Sequence, residues 1–130
     1  MILYCDDIRT LSPDQLVGFF VGWKKPLTSE QHLALLSGST HFIAAVDNET
    51  DKAVGFVTAL SDGVNSSFIP LLEVLPAYQK QGIGTALFLK ILQKLDNITN
   101  VDLTCDIAMQ TFYERFSMLK SAGMVLRKHL

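Results

Sequence analysis

The sequence predicts a single domain of the mixed α/β class, in which a mostly antiparallel sheet carries helices on both faces. Apolar runs of strand length alternate with segments whose apolar residues recur every three or four positions. Two of the runs, "HFIAAV" and "AVGFVTAL", are joined by the polar turn "DNETDK", which predicts an antiparallel hairpin. A further run, "LLEVL", leads through a glycine-containing loop into a helical segment. The length of 130 residues fits one domain.

The N-terminal part predicts a short strand followed by two helices. "MILYC" has the composition of a strand. "SPDQ" combines a serine N-cap, a proline at the first helical position and a glutamine that completes a capping box. A helix is therefore predicted from this segment to Gly22. "TSEQ" repeats the signature and predicts a second helix, with Gly38 as its C′ residue.

After the hairpin, strands and helices alternate. "FIPLLEVL" predicts a third strand of the meander, although Pro70 has no N–H for a fully paired ladder. A helix is predicted from Ile83, and "VDLTC" is predicted to be the next strand. The helix would connect the strand of Glu73 to this strand by a right-handed crossover. "IAMQTFYERFSML" predicts another helix, and "LKSAGMVLRKHL" closes the chain as strand segments bent at Gly123.

Composition excludes several classes of protein. With 48% hydrophobic and 18% charged residues the chain can bury a core, and its net charge of −2 argues against a nucleic-acid partner. Without a signal peptide or a run of membrane-spanning length, we expect a cytoplasmic protein with no membrane partner. Cys5 and Cys105 are expected to be reduced and buried. His32, His41 and His129 lack the spacing of metal ligands, so no metal is expected.

The loop "QKQGIGT", residues 79–85, lies between a strand and a helix. Free N–H groups at the helix N-terminus, the helix dipole and two glycines that permit close approach favour an anion site. On spacing alone, a tight turn is an equal alternative. A Walker loop is excluded because no lysine follows Gly84. A dinucleotide loop is excluded because Leu87 stands where it needs a third glycine.

"LLEVLPAYQKQGIGTAL" resembles the acetyl-CoA signature of the GNAT superfamily of N-acetyltransferases. The matching residues are Val74, Pro76, Gln79, Gly82 and Gly84, with Gln79 in place of the commoner arginine. The order of helices and strands is similar to that of the superfamily along essentially the whole chain. The resemblance implies a GNAT-like fold with a splay between the fourth and fifth strands. It also implies acetyl-CoA as cosubstrate and no metal.

The resemblance also implies which residues bind the cofactor. Backbone N–H groups from Lys80 to Thr85 would hold the pyrophosphate, and the edge of the strand near Leu72 and Val74 would pair with the pantetheine arm. The implied cofactor-binding residues are Leu72, Val74, Gln79, Lys80, Gln81, Gly82, Ile83, Gly84 and Thr85.

For the chemistry, Tyr113 matches the tyrosine that protonates the leaving thiolate in many members of the superfamily. The alternative is a core tyrosine, since Tyr113 shares an apolar stripe with Phe112 and Phe116. Asp106, seven residues earlier, is a candidate base, with a helix N-cap as the alternative. Glu73, a carboxylate between apolar neighbours, is a second candidate base, with a solvated outward residue as the alternative. A chain of waters without a dedicated base is also open.

The acceptor is expected beside the first two helices and their loop, which makes Phe20 and Trp23 candidate acceptor contacts. Asp62, in "SDG", is a further candidate, with a turn residue as the alternative. The expected function is acetyl transfer from acetyl-CoA to a primary amine of a small molecule or a peptide. A CoA-binding sensor or interaction module without turnover is the alternative. Dimers are frequent in the superfamily, so a homodimer is one of the assemblies that the resemblance implies.

Overall fold

The structure, a computed structural model, describes residues 1–128 of the chain. Its centre is a six-stranded sheet. The strands are β1 (Ile2–Cys5), β2 (His41–Asp47), β3 (Lys52–Ser61), β4 (Ser66–Phe68), β5 (Leu72–Val74) and β6 (Asn100–Asp102). The α-helices are α1 (Ser29–Gly38), α2 (Ile83–Lys94) and α3 (Gln110–Glu114). None of the helices in residues 1–128 has the length and apolarity needed to cross a bilayer.

The predicted mixed, mostly antiparallel sheet is confirmed. β1 pairs antiparallel with β2, and β2 with β3. Both β4 and β5 also pair antiparallel with β3. The exception is β6, which pairs parallel with β4 after the connection through α2. Parallel neighbours need such a crossover, and an amphipathic helix is its usual form.

The predicted strand "FIPLLEVL", the third of the meander and the fourth of the chain, is broken into β4 and β5. The expected splay therefore forms between β5 and the chain that follows β6. β4 pairs with the end of β3, where Leu60 lies opposite Phe68, and β5 pairs further back, where Phe56 lies opposite Glu73. Pro70 stands at the break, as a residue without an N–H requires. β6 follows β4 only as far as Asp102, so the predicted strand "VDLTC" is shorter than expected. Beyond this point its chain diverges from β5.

Two cores lie on opposite faces of the sheet. On one face, α2 buries Leu87, Phe88 and Ile91 against the sheet. On the other face, α1 and the segment before it cover Phe56 with Leu36 and other apolar side chains. The expected helices on both faces are therefore present.

The predicted helix from "SPDQ" to Gly22 is wrong. Its capping box is present, but it starts only a 3₁₀ turn, Pro13–Gln15. Backbone φ angles of 86° at Gly18, 63° at Phe20 and 85° at Gly22 are incompatible with a right-handed helix. This irregular path buries the adjacent side chains of Phe19 and Phe20 together, which one face of a helix cannot do.

The second predicted helix forms as α1, with Thr28 as its N-cap and a complete capping box. It ends two residues later than predicted, because the prediction placed Gly38 at C′. Gly38 is the last helical residue, and Ser39 is the C-cap with an extended backbone. The expected left-handed glycine cap is absent because Gly38 is still helical, and Ser39 and Thr40 lead into β2.

The C-terminal predictions are only partly correct. The predicted helix over "IAMQTFYERFSML" is reduced to a 3₁₀ turn and the five residues of α3, and Ser117 with φ 65° redirects the chain. No strand forms in residues 118–128, where the described backbone makes no hydrogen bond with another strand. A strand needs such a partner, and Met124 and Leu126 remain exposed instead. His129 and the last predicted residues lie outside the described part.

Candidate active site

A cleft of about 1020 Å³ opens where β5 and the chain after β6 diverge. Its walls are β5, the glycine loop of residues 79–85, the first turn of α2, and α3 with the segment before it. The predicted site residues that line it are Leu72, Glu73, Val74, Gln79, Lys80, Gly82, Ile83, Gly84, Thr85, Asp106 and Tyr113. The splay therefore brings residues 72–85 together with Asp106 and Tyr113, which follow much later in the sequence.

The glycine loop presents a series of free backbone donors. Lys80 and Gly82 have left-handed φ angles of 64° and 82°. Within residues 1–128, no group accepts a hydrogen bond from the N–H groups of residues 80–85, and the first bond of the α2 ladder is Ala86 N–H to Gly82 O at 3.0 Å. Gly82 has nothing within 4 Å of the place a Cβ would take. This donor set, at the positive end of a helix dipole, suits a diphosphate.

The backbone of β5 is open toward the cleft. Leu71 O accepts from Thr58 N–H at 3.0 Å and Leu75 N–H donates to Val54 O at 2.8 Å, so these odd-numbered positions face β3. Because hydrogen bonding alternates along an antiparallel strand, the N–H groups of Leu72 and Val74 face away from β3, toward the splay. An extended ligand can pair with this edge as an added strand.

Gln79 stabilises the loop rather than extending from it. Its Nε2 donates to Val74 O at 3.0 Å, which ties the start of the glycine loop to the end of β5. The preceding turn is fixed by Tyr78, whose hydroxyl donates to Asp47 Oδ2 at 2.8 Å. These bonds hold the loop in shape without a ligand.

Tyr113 lies on the cleft wall with its ring among aromatic side chains. It packs edge to face on Phe88 at 5.1 Å and on Phe112 at 5.0 Å between ring centroids. Burial, with a smaller contribution from the Cys105 thiol, raises the pKa of Tyr113 to about 12. No hydrogen bond within the described chain affects the pKa of this hydroxyl, and at neutral pH it carries a proton that it can donate.

The two carboxylates of the cleft have different surroundings. Asp106 lies at the N-cap of the 3₁₀ turn Ile107–Met109, but its side chain makes no capping hydrogen bond. Glu73 accepts the N–H of Phe20 on both oxygens at 3.0 Å, with a longer contact of 3.4 Å from Val21 N–H. Glu73 is thus neither solvated nor free: it anchors the irregular loop, a role that was not predicted.

Three candidate acceptor contacts lie outside the cleft lining. Phe20 is 2% exposed and packs against the core ring of Phe56, so its position does not support an acceptor contact. Trp23 is 46% exposed and its ring lies 4.8 Å from that of Phe20. Asp62 accepts three backbone N–H groups, from Val64 to Ser66, which lower its pKa. It is a turn residue, as the alternative interpretation held.

The sequence interpretation did not include several other residues of the cleft. Arg115 and Arg127 line it beside Lys80. Arg115 follows Phe112 by three residues, a spacing that places both on one helix face, and this was the sequence signal that could have identified Arg115. Cys105 also lines the cleft and is exposed, so the expectation that it is buried is wrong, and Cys5 is only half-buried.

Comparison with known proteins agrees with this geometry. The model of the acetyltransferase (GNAT) family matches residues 8–118. The chain belongs to the GNAT acetyltransferase family. Members of this family use acetyl-CoA as cosubstrate, and the free donors of the loop and of β5 fit its diphosphate and pantetheine arm.

Solved acetyltransferase structures are similar to this one over nearly the whole length of the chain. A candidate acetyltransferase from Deinococcus radiodurans is 36% identical with a TM-score of 0.94, covering 98% of this chain and 88% of that one. A GNAT-family acetyltransferase from Streptococcus pneumoniae is 26% identical with a TM-score of 0.79, covering 100% of both chains. Glucosamine-6-phosphate N-acetyltransferase from Arabidopsis thaliana, at 11% identity and a TM-score of 0.76 over 99% of both chains, shares the fold.

Proposed function

We propose that this GNAT protein is an acetyl-CoA-dependent N-acetyltransferase, which transfers acetyl to a primary amine of a small molecule or peptide by direct attack in a ternary complex. The observation that carries the proposal is the cradle of free N–H groups at residues 80–85, which opens onto the free edge of β5. Tyr113 faces the same cleft. A diphosphate, an extended amide-containing arm and a leaving thiolate would each meet a suitable group.

Binding of the cofactor rests on the backbone. The N–H groups of residues 80–85 would bind the diphosphate, and Leu72 and Val74 would bind the amides of the pantetheine arm. When bound, acetyl-CoA supplies the activated acyl thioester. A free N–H of the β5 edge is suited to stabilise the negative charge that develops on the thioester oxygen.

Acetyl transfer requires the amine to lose a proton and the sulfur leaving group to gain one. Tyr113 would donate its hydroxyl proton to the sulfur, since its pKa of about 12 keeps it protonated at neutral pH. Asp106 would accept the amine proton, directly or through water, because its carboxylate has no capping bond to give up. Glu73 would hold the loop that carries Trp23, and Trp23 is the exposed aromatic available to an acceptor on that side.

Two measurements test the proposal. Isothermal titration calorimetry should detect binding of acetyl-CoA and none of ATP, and thiol release over a panel of arylalkylamines, polyamines and short peptides should exceed background hydrolysis for at least one amine. Binding of ATP without binding of acetyl-CoA would refute the proposal. Binding of acetyl-CoA with no stimulation by any amine would instead favour a CoA-binding module without turnover.

A further inference from the structure

Arg115 is a cation on the cleft wall that the proposed reaction leaves unused. It directly follows α3, and its Nη2 donates to Thr85 Oγ1 at 2.7 Å. Its guanidinium also lies over the rings of Phe112 and Phe116, at 5.2 Å and 5.7 Å from their centroids. These contacts hold a long side chain in one place, so much of its conformational entropy is already lost before a ligand arrives.

The charge of Arg115 has no counter-ion in the described chain. A guanidinium carries five N–H donors, and Thr85 Oγ1 is the oxygen that Arg115 reaches within residues 1–128. The ion pairs in that part of the chain are Arg9 with Asp7 and Lys94 with Asp6. Arg9, by contrast, has a counter-ion: its Nε and Nη2 donate to the two carboxylate oxygens of Asp7 at 3.0 Å and 2.8 Å.

The position of Arg115 determines which anion it suits. Thr85 lies in the first turn of α2, and its N–H is one of the free donors of the cradle. Since the Thr85 hydroxyl oxygen accepts from Arg115, its own hydrogen is left for another acceptor. Lys80 and Arg127 add two further cations to the lining of this cleft. Arginine is the side chain best suited to phosphate because its planar fork can present two parallel N–H groups.

We propose that Arg115 is a phosphate ligand of the cofactor, held in place by Thr85 and the two phenylalanine rings. The inference rests on the proposed function, because it takes acetyl-CoA as the molecule in the cleft. Acetyl-CoA carries two phosphate groups that Arg115 could bind, the diphosphate and the 3′-phosphate. The contact supplies affinity from a charged side chain, beyond the sequence-independent backbone donors of the loop.

The test compares Arg115→Gln with Arg9→Gln, a substitution that makes the same change of charge at an arginine outside the cleft lining. Calorimetric Kd values are measured for acetyl-CoA and for 3′-dephospho-acetyl-CoA. Loss of a charge-assisted hydrogen bond should weaken acetyl-CoA binding roughly ten- to a hundredfold in Arg115→Gln, and by no more than about twofold in Arg9→Gln. A loss that persists with the dephospho ligand assigns Arg115 to the diphosphate; a loss that disappears assigns it to the 3′-phosphate.

The dependence of Kd on salt separates this role from a merely structural one. A phosphate contact is screened by ions, so Arg115→Gln should flatten the dependence of log Kd on KCl concentration, whereas a displaced helix would leave it unchanged. If Arg115→Gln does not fold, Arg115→Lys serves instead, with the salt dependence retained and a smaller loss of affinity. Wild-type affinity in Arg115→Gln, or weaker binding with the wild-type salt dependence, overturns the assignment and leaves the proposed function standing. Failure of the wild-type protein to bind acetyl-CoA overturns both.

Discussion

At the scale of the residue, His32 is a buried imidazole without a polar partner. Its ring lies against those of Phe19, Phe20 and Phe56, at 5.1, 4.9 and 4.4 Å between centroids. Neither ring nitrogen has a hydrogen-bond partner in the described chain, and burial lowers the pKa of His32 to about 4. The folded protein therefore holds this histidine neutral in an apolar core.

This burial makes stability depend on pH. Below the ordinary histidine pKa of 6.5, the unfolded chain binds a proton that the folded chain refuses until about pH 4. The free energy of unfolding should thus fall as pH decreases from 6.5 to 4, by roughly 2–3 kcal/mol at most. Urea unfolding of His32→Leu should lose this part of the pH dependence, whereas His41→Gln, at a partly exposed histidine, should retain it. Equal slopes for wild type and His32→Leu would contradict this.

The conformation of Gly82 gives a second prediction at this scale. Gly82→Val should weaken acetyl-CoA binding at least roughly tenfold, because a branched side chain crowds the donors of the cradle and disfavours the left-handed φ of 82°. Gly63→Val is the matched control, since Gly63 also has a left-handed φ, of 78°, and open space around it. Both variants should be destabilised alike, by about 1–2 kcal/mol, and calorimetry should find the loss of affinity in Gly82→Val alone.

Tyr113 is tested by removing one oxygen. Tyr113→Phe should lower kcat by roughly a hundredfold or more with the Kd of acetyl-CoA unchanged, because the hydroxyl acts only on the leaving sulfur. Stability should change little, since no hydrogen bond within the described chain contributes to the pKa shift of that hydroxyl. An unchanged kcat would assign Tyr113 to the core, together with the rings that it contacts.

At the scale of the element, the loop of residues 18–22 depends on a strand distant in sequence. Glu73 of β5 binds the N–H of Phe20, a residue 53 positions away whose backbone is left-handed. A non-glycine residue in this conformation needs compensation from its surroundings. The carboxylate of Glu73 supplies it, and the loop in turn brings Trp23 to the surface.

Replacing Glu73 distinguishes this structural role from catalysis. Glu73→Ala should lower the free energy of unfolding by about 1–3 kcal/mol, because the part-buried N–H of Phe20 loses its acceptor. Glu73→Gln retains one acceptor oxygen and should keep most of the stability and most of kcat. Glu49→Ala, at an exposed glutamate, should change neither quantity. A Glu73→Gln variant that is stable but inactive would make Glu73 the base.

At the scale of the whole molecule, the cleft exists because β3 pairs with two different strands along its length, and only one of them continues the sheet. β3 pairs with β4 at one end and with β5 further back, whereas β6 accompanies β4 alone. The unpaired edge of β5 and the glycine loop therefore lie on one side of the gap, with α3 on the other. An edge strand would ordinarily be a liability for aggregation; here it borders a cleft suited to an extended ligand.

The sequence by itself determined what nearest neighbours along the chain can encode. The capping box at Thr28, the helical periodicity from Ile83 and the strand–glycine loop–helix order specified α1, α2 and the cradle, since the hydrogen bonds of these elements join residues a few positions apart. The polar turn between two apolar runs likewise specified the β2–β3 hairpin. Three features depend on the tertiary structure alone: the left-handed backbone of Phe20, the hydrogen bonds that Glu73 accepts from the loop, and the hydrogen bond from Arg115 to Thr85. These depend on partners 53 and 30 positions apart, whose meeting is set by packing of the two cores rather than by any local pattern.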